Sequence, residues 1–159
     1  MKVLEKMAIE KAIEESKANI ENNYQKGGPF GAVIVKDGKI ISSAHNTVVE
    51  SMDATAHAEV NCIRKASKKL GTHDLEGCTL YTSAEPCPMC LSAIIWANIK
   101  EVYYCNTKKD AENIGFRDDM IYEYIKGNNK SVINLHHIKN EEALEVFKKF
   151  KCLEDKNMY

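Results

Sequence analysis

Two cysteines three residues apart, Cys87 and Cys90, lie in the segment "AEPCPMC". Such a pair is typical of a zinc site or of a redox-active dithiol. A structural zinc site needs four protein ligands, but the rest of the sequence contains no second Cys-x-x-Cys pair. A catalytic zinc site needs only three, and His57 in "TAHAEV" is a candidate for the third.

A carboxylate stands two residues after that histidine, at Glu59. A carboxylate near an activated water can accept its proton and pass it to a substrate. The order His-x-Glu followed by Pro-Cys-x-x-Cys is the signature of zinc-dependent nucleobase deaminases, in which the glutamate moves protons and does not bind the metal. We therefore predict that His57, Cys87 and Cys90 hold one zinc ion per subunit and that Glu59 is catalytic.

Two other interpretations of the cysteine pair are open at this stage. A redox dithiol leaves His57 and Glu59 without a role. If the pair is part of a structural zinc site, that site needs a fourth ligand from Cys78, Cys105 or a histidine. Both of these cysteines lie at the ends of apolar strands and are expected in the core. The other histidines have no partner spacing and are expected at the surface or hydrogen-bonded; they are His45, His73, His136 and His137.

The composition is that of one soluble globular domain. The chain has 159 residues, of which 44% are hydrophobic and 28% charged, and its formal net charge is −1. We expect a single zinc-dependent deaminase domain over residues 1–159. No apolar run approaches the roughly 20 residues of a membrane span, and the charged N-terminus is unlike a signal peptide. We therefore expect a cytoplasmic protein with mostly core cysteines, no membrane partner and no large nucleic-acid surface.

Hydrophobic patterning alternates between helix and strand periods. Helices are predicted for residues 2 to about 23, for the stretches that begin at "TAHAEV" and at Pro88, and for "DDMIYEYI" and "EEALEVFKKFK". Strands are predicted for the two halves of "FGAVIVKDGKIISSA", which meet at Asp37-Gly38, and for "CTLYTS", "EVYYC" and "SVINLHHI". Strands that alternate with helices indicate an α/β fold, in which ligands bind at the carboxyl ends of the strands.

The chain resembles the cytidine and deoxycytidylate deaminase superfamily, and within it the small bacterial guanine deaminases. The segments "GGPFGAVIVKDGKII", "TAHAEV", "IRKA", "LYTS-EPCPMC" and "GF-DD-IY" carry the resemblance, in matching order. It implies a three-layer α/β/α fold of the cytidine-deaminase type, with a central mixed five-stranded sheet. It also implies a zinc hydrolase that acts on a cyclic amidine C–N bond and converts guanine and water to xanthine and ammonia.

The resemblance also implies roles for residues outside the metal group. Asn46 matches a purine-binding asparagine, Phe30 a pocket-lining aromatic residue and Asp118 an acidic residue that contacts the substrate. Tyr159 matches a terminal tyrosine that reaches across a homodimer whose C-terminal segments, about residues 140–159, are exchanged. Independently of the resemblance, we expect backbone amides near Ala58 and Cys87 to orient the nucleophile and the intermediate, with Ala58 counted among the substrate-binding residues.

Asp118 suits guanine chemically. Guanine presents two adjacent donors, N1–H and the 2-amino group, and a carboxylate accepts from both. A helix-capping role for Asp118, or a substrate contact through Asp119 instead, is the alternative.

Rival functions follow from the same motifs. A tRNA adenosine deaminase uses this chemistry on a flipped base but needs a basic C-terminal helix. Here the last twelve residues combine four lysines with two acidic residues and end in Tyr159. A cytosine or guanosine deaminase is a second rival. A zinc-stabilised binding module without turnover is a third, and Glu59 argues against it.

Overall fold

The computed structural model describes residues 2–159. The helices are α1 (Val3–Ser16), α2 (Ala58–Leu70), α3 (Pro88–Trp96), α4 (Lys108–Asn113), α5 (Asp118–Ile125) and α6 (Glu141–Lys151). The strands are β1 (Gly31–Lys36), β2 (Lys39–His45), β3 (Thr79–Ala84) and β4 (Glu101–Asn106).

The four strands form one mixed sheet in the order β2-β1-β3-β4. β1 is antiparallel to both its neighbours, and β3 is parallel to β4. Helix α1 packs on one face of the sheet, and α2 and α3 cover the other. Because β1 lies between these two layers, five of its six residues are buried. The predicted three-layer α/β/α fold is confirmed.

The hairpin between β1 and β2 turns at the predicted dipeptide. Asp37 and Gly38 both have positive φ, at 47° and 75°. A two-residue turn with positive φ at both positions matches the right-handed twist of the flanking strands. The hairpin places the residue before β1, Phe30, beside the residue after β2, Asn46, whose N–H donates to the Phe30 carbonyl oxygen at 3.1 Å.

Three details of the sequence prediction are wrong. The sheet has four strands rather than five, because "SVINLHHI" pairs with no strand within residues 2–159. The apolar side chains of this segment are solvent-exposed. The segment therefore has the residue alternation of a strand but does not pack against the sheet of this chain. Helix α1 ends at Ser16 rather than near residue 23, and Cys105 is exposed on β4 rather than buried, while Cys78 is in the core as expected.

The C-terminal third of the chain contrasts with the rest. Helix α6 has an amphipathic sequence but no buried residue. Its apolar side chains and those on either side of it are exposed, among them Ile138, Leu144, Val146, Phe147, Phe150 and Leu153. This stretch therefore presents apolar surface that the described chain does not cover. Within residues 2–159, no helix has the length and apolar character that crossing a membrane requires.

Candidate active site

The predicted metal ligands meet where two helices begin. His57 is the N-cap of α2 and Cys87 is the N-cap of α3, with Pro88 in the first turn. Proline suits that position, since its φ is already helical and the missing N–H would have no partner there. Both caps have extended backbone, with ψ of 157° and 167°, so each helix starts immediately after its ligand.

The three ligand atoms have the spacing of a tetrahedral metal site. His57 Nδ1 lies 3.5 Å from Cys87 Sγ and 3.4 Å from Cys90 Sγ. A tetrahedron with metal–sulfur bonds of about 2.3 Å and metal–nitrogen bonds of about 2.0 Å separates its sulfur and nitrogen atoms by about 3.5 Å. No other group of three or more His, Cys, Asp or Glu ligand atoms within residues 2–159 is close enough to hold a metal. The donors present therefore fit zinc.

The electrostatics favour a thiolate at this position. The neighbouring Cys90 thiol and the hydrogen bond with His57 hold the pKa of Cys87 well below its usual range. The hydrogen bond with Cys87 raises the pKa of His57, although burial opposes this. The start of α3 also favours negative charge on Cys87, through its free N–H groups and helix dipole. A thiolate is the form of cysteine that binds metal.

Glu59 is buried beside the metal group. Only 6% of its surface is exposed, and burial raises the pKa of its carboxyl group. Its carboxylate accepts hydrogen bonds from Thr82 Oγ1 at 3.4 Å and from Cys90 Sγ at 3.5 Å. A carboxyl group with a raised pKa is suited to exchanging protons near neutral pH. The arrangement can therefore hold a proton beside Cys90, one of the residues that would bind the metal.

A pocket of about 410 Å³, including its open mouth, leads to these groups. Its lining combines the predicted Phe30, Asn46, His57, Glu59, Cys87 and Asp118 with Glu85, Ala111 and Phe116. The rings of Phe30 and Phe116 meet edge to face, with centroids 4.8 Å apart. Apolar walls with a few polar groups are typical of a site for a small aromatic ligand.

The Asn46 amide has a fixed orientation. Its Oδ1 accepts hydrogen bonds from the N–H groups of Gly28 at 3.3 Å and Val48 at 3.1 Å. Because the oxygen is held by the main chain, the NH₂ group is left to face the pocket. Asn46 can therefore donate a hydrogen bond to an acceptor on a bound ligand.

Asp118, rather than Asp119, faces the pocket. Asp118 is half-buried at the start of α5, whereas Asp119 is exposed. Burial raises the pKa of Asp118, and the negative charges of Cys87 and Glu85 add to this rise. Asp118 makes no capping hydrogen bond within its helix, since the helix cap is Arg117. Its carboxylate is therefore available to a ligand.

Two predicted residues lie away from the pocket lining. Ala58 is buried in the first turn of α2, with its amide near the metal group but no side-chain contact with the pocket. Tyr159 is 82% exposed and packs near Trp96, at the far end of α3 from Cys87, with ring centroids 5.9 Å apart. The chain therefore does not bring Tyr159 to its own pocket.

The sequence analysis did not predict four residues of the site, namely Thr82, Glu85, Ala111 and Phe116. Glu85 directly precedes the Pro-Cys-x-x-Cys motif, and its Oε2 accepts from the Lys108 N–H at 2.8 Å, which ties α4 to the site. The sequence analysis also did not predict helix α4, although Thr107 and Asp110 form a capping box, which is a sequence signal for the start of a helix. Thr82 carries no local signal, since only the fold brings it to Glu59.

Comparison with known proteins gives a consistent set of matches. The model of the cytidine and deoxycytidylate deaminase zinc-binding region matches residues 4–106. Guanine deaminase of Bacillus subtilis is 49% identical over 134 residues, which cover 84% of this chain and 86% of that protein. Its crystal structure covers 100% of this chain and 99% of its own, with a TM-score of 0.90 and 42% identity.

A second kind of relative matches over a shorter stretch. The tRNA-specific adenosine deaminase of Aquifex aeolicus is 50% identical over 82 residues, or 51% of this chain and 54% of that protein. The similarity to B. subtilis guanine deaminase thus extends further along the chain than the similarity to this tRNA deaminase.

Proposed function

This chain belongs to the cytidine and deoxycytidylate deaminase family, and from that premise we propose that it is a zinc hydrolase that deaminates guanine to xanthine and ammonia. The observation that carries the choice of base is that one pocket contains both a hydrogen-bond acceptor and a hydrogen-bond donor. The Asp118 carboxylate can only accept hydrogen bonds when ionised, and the Asn46 NH₂ group can only donate. Guanine offers donors at N1–H and the 2-amino group, and acceptors at O6 and N7.

Zinc held by His57, Cys87 and Cys90 supplies, when bound, the Lewis acidity that makes water a nucleophile at neutral pH. Water adds to C2 of guanine, the carbon that bears the amino group. Glu59 takes one proton from this water and gives it to N3 of the ring. It then takes the second proton from the hydroxyl group on C2 and gives it to the amino group, so that the C2–N bond breaks and ammonia leaves. Burial next to the metal group and the hydrogen bond from Thr82 keep the Glu59 carboxylate in place for both transfers.

The walls of the pocket orient the base. Phe30 and Phe116 offer apolar surface to the ring, while Asp118 and Asn46 fix its rotation within the plane. A purine that lacks the donor pair of guanine would leave the Asp118 carboxylate without partners in a partly buried place. Such unpaired polar groups discriminate strongly between ligands.

We also propose that the protein is a homodimer in which residues of about 140–159 are exchanged, so that Tyr159 closes the partner's pocket. Support comes from the apolar side chains of α6, which the described chain leaves exposed, and from the position of Tyr159 outside its own pocket. A cytoplasmic location is part of the same proposal, and the six cysteines as free thiols agree with a reducing compartment.

A panel of substrates tests the choice of base. Zinc-loaded protein is given guanine, guanosine, adenine, cytosine and a tRNA anticodon hairpin, and ammonia release is measured. We expect guanine to be turned over at least about 100-fold more efficiently than adenine or cytosine, which lack the donor pair. Turnover of the hairpin or of cytosine in preference to guanine would refute the roles of Asp118 and Asn46 while leaving the zinc chemistry in place.

A further inference from the structure

A buried amide outside the pocket joins two of the loops that line it. Asn19, three residues beyond the end of α1, is only 2% exposed. Its Nδ2 donates to the carbonyl oxygen of Gly28 at 3.2 Å and to that of Asn46 at 2.9 Å. One acceptor precedes β1 and the other follows β2, so a single side chain bridges these two loops.

The junction that Asn19 holds is closely packed. The Gly28 N–H donates to Asn46 Oδ1, and the Asn46 N–H donates to the carbonyl oxygen of Phe30. Gly27 lies so close to Asn46 that a Cβ added there would collide with the Asn46 carbonyl oxygen. A shift at this junction therefore moves the Asn46 amide and the Phe30 ring together.

We propose that Asn19 is a positioning residue for base recognition. It holds the Asn46 amide and the Phe30 ring at the separation that a bound purine base requires, and it does not line the pocket itself. The metal ligands and Glu59 belong to the starts of α2 and α3, with which Asn19 makes no hydrogen bond. Loss of Asn19 should therefore weaken binding of the base more than it slows the chemical step. This inference rests on the proposed purine deamination.

The direct test is Asn19→Asp, which keeps the shape of the side chain but turns a carboxylate towards two carbonyl oxygens. We expect KM for the base to rise about tenfold or more, with kcat changed by less than about threefold and with unchanged zinc content. Ile99→Val, a core change away from the pocket, is the control for lost stability and should leave KM unchanged. An unaltered KM in folded Asn19→Asp protein would overturn the proposal.

Gly27→Ala keeps the test decisive if Asn19→Asp does not fold, and a double variant extends the test if Asn19→Asp does fold. Gly27→Ala disturbs the same junction from the other side and should also raise KM with little change in kcat. In an Asn46→Ala background, Asn19→Asp should raise KM by less than it does in the parent, because part of its effect is already lost. A rise as large as in the parent would show that Asn19 does not act through Asn46.

The design separates this inference from the choice of guanine. KM is measured for whichever base of the panel the parent deaminates, and the Kd of the same base is measured by calorimetry in the nearly inactive Glu59→Gln background. A parent that prefers another base would refute the guanine assignment and leave the Asn19 test intact. If the parent is specific for guanine but neither KM nor Kd changes in Asn19→Asp and Gly27→Ala, the positioning role alone is refuted.

Discussion

Neighbouring carboxylates at the start of α5 have different surroundings. Asp118 lines the pocket and Asp119 faces solvent, although they share a helix turn and a charge. Burial and nearby negative charge raise the pKa of Asp118, so its ionised form is costly unless a ligand donates to it. The pair therefore offers a matched comparison of one carboxylate that lines the pocket, and that we propose to recognise the base, with one that is exposed to solvent.

Asp118→Asn is expected to lower kcat/KM for guanine by about 100-fold or more, since an amide NH₂ would face the donors of the base. Asp119→Asn is the matched control and should stay within about twofold of the parent, as is usual for exposed substitutions. Steady-state kinetics of both variants on guanine checks this. Equal losses in the two variants would show that α5 matters for stability rather than for recognition.

Cys90→Ser is expected to lower zinc affinity, because a hydroxyl is a far poorer zinc ligand than a thiolate. The loss should exceed the roughly 10- to 100-fold that follows removal of a residue hydrogen-bonded to a metal ligand. Thermal stability should fall as well, since bound metal stabilises the folded state. Metal analysis by mass spectrometry and thermal unfolding check both effects. Cys105→Ser changes an exposed cysteine and should leave the zinc content unchanged. Loss of zinc from this variant would contradict the proposed set of metal ligands.

Single residues were predictable where chemistry restricts the choice of side chain. His57, Cys87 and Cys90 could be predicted because few residue types bind zinc and because two short motifs carry them at a fixed spacing in the sequence. Thr82 could not be predicted, since many side chains occupy buried strand positions and only the fold places this one beside Glu59. Asn19 gave no signal for the same reason.

At the scale of elements, a carboxylate joins α1 to β2. Glu15 Oε1 accepts from Ser43 Oγ at 2.6 Å and Oε2 pairs with His45 Nδ1 at 3.0 Å. Burial acts to raise the pKa of Glu15, but the hydrogen bonds from Ser43 and His45 outweigh it, so the pKa lies below its ordinary value of 4.5. A lowered pKa in the folded state means that the ionised carboxylate stabilises the fold.

This link predicts a pH-dependent contribution to stability. It should be fully present above the ordinary pKa of 4.5 and be lost as the pH falls below that value, through the lower pKa of the folded state. The difference in free energy of unfolding between the parent and Glu15→Gln should thus be largest above about pH 5 and shrink towards pH 3. Urea unfolding across this range measures it, with the exposed Glu14→Gln as control. A difference that grows on acidification would have the wrong sign.

Elements were predictable where a helix or strand meets its partners within the chain. The hairpin at Asp37-Gly38 and the starts of α2 and α3 follow from turn residues and local pattern. The segment 131–138 has the alternation of a strand but no partner strand in residues 2–159, and pattern alone cannot reveal a missing partner. Helix α4 is only six residues long, too short for a clear hydrophobic period.

At the scale of the whole molecule, the C-terminal segment presents apolar side chains that the described chain leaves uncovered. Phe147 is 76% exposed and Ile138 is 83% exposed. Exposed apolar surface of this extent marks an interaction site, and a second copy of the chain is the occupant that we propose.

Mixed dimers test the exchange of this segment. Glu59→Gln protein lacks the proton shuttle, and Tyr159→Ala protein lacks the closing ring, so each is expected to be nearly inactive alone. If Tyr159 acts across the dimer, refolding equal amounts of the two together should restore about a quarter of the parent activity, because about half of the dimers are mixed and one of the two sites in each mixed dimer is complete. No recovery in dimers shown to be mixed would mean that Tyr159 does not act on the partner.

We propose that this chain converts guanine to xanthine by proton transfer through Glu59 at a zinc site. The most direct measurement is xanthine formation from guanine, followed by chromatography, for the parent and Glu59→Gln at equal zinc content. We expect stoichiometric xanthine and ammonia from the parent and a fall in kcat of at least about 100-fold in the variant. Undiminished turnover by zinc-loaded Glu59→Gln would show that Glu59 is not the proton carrier, and no xanthine from the zinc-loaded parent would show that guanine is not the substrate.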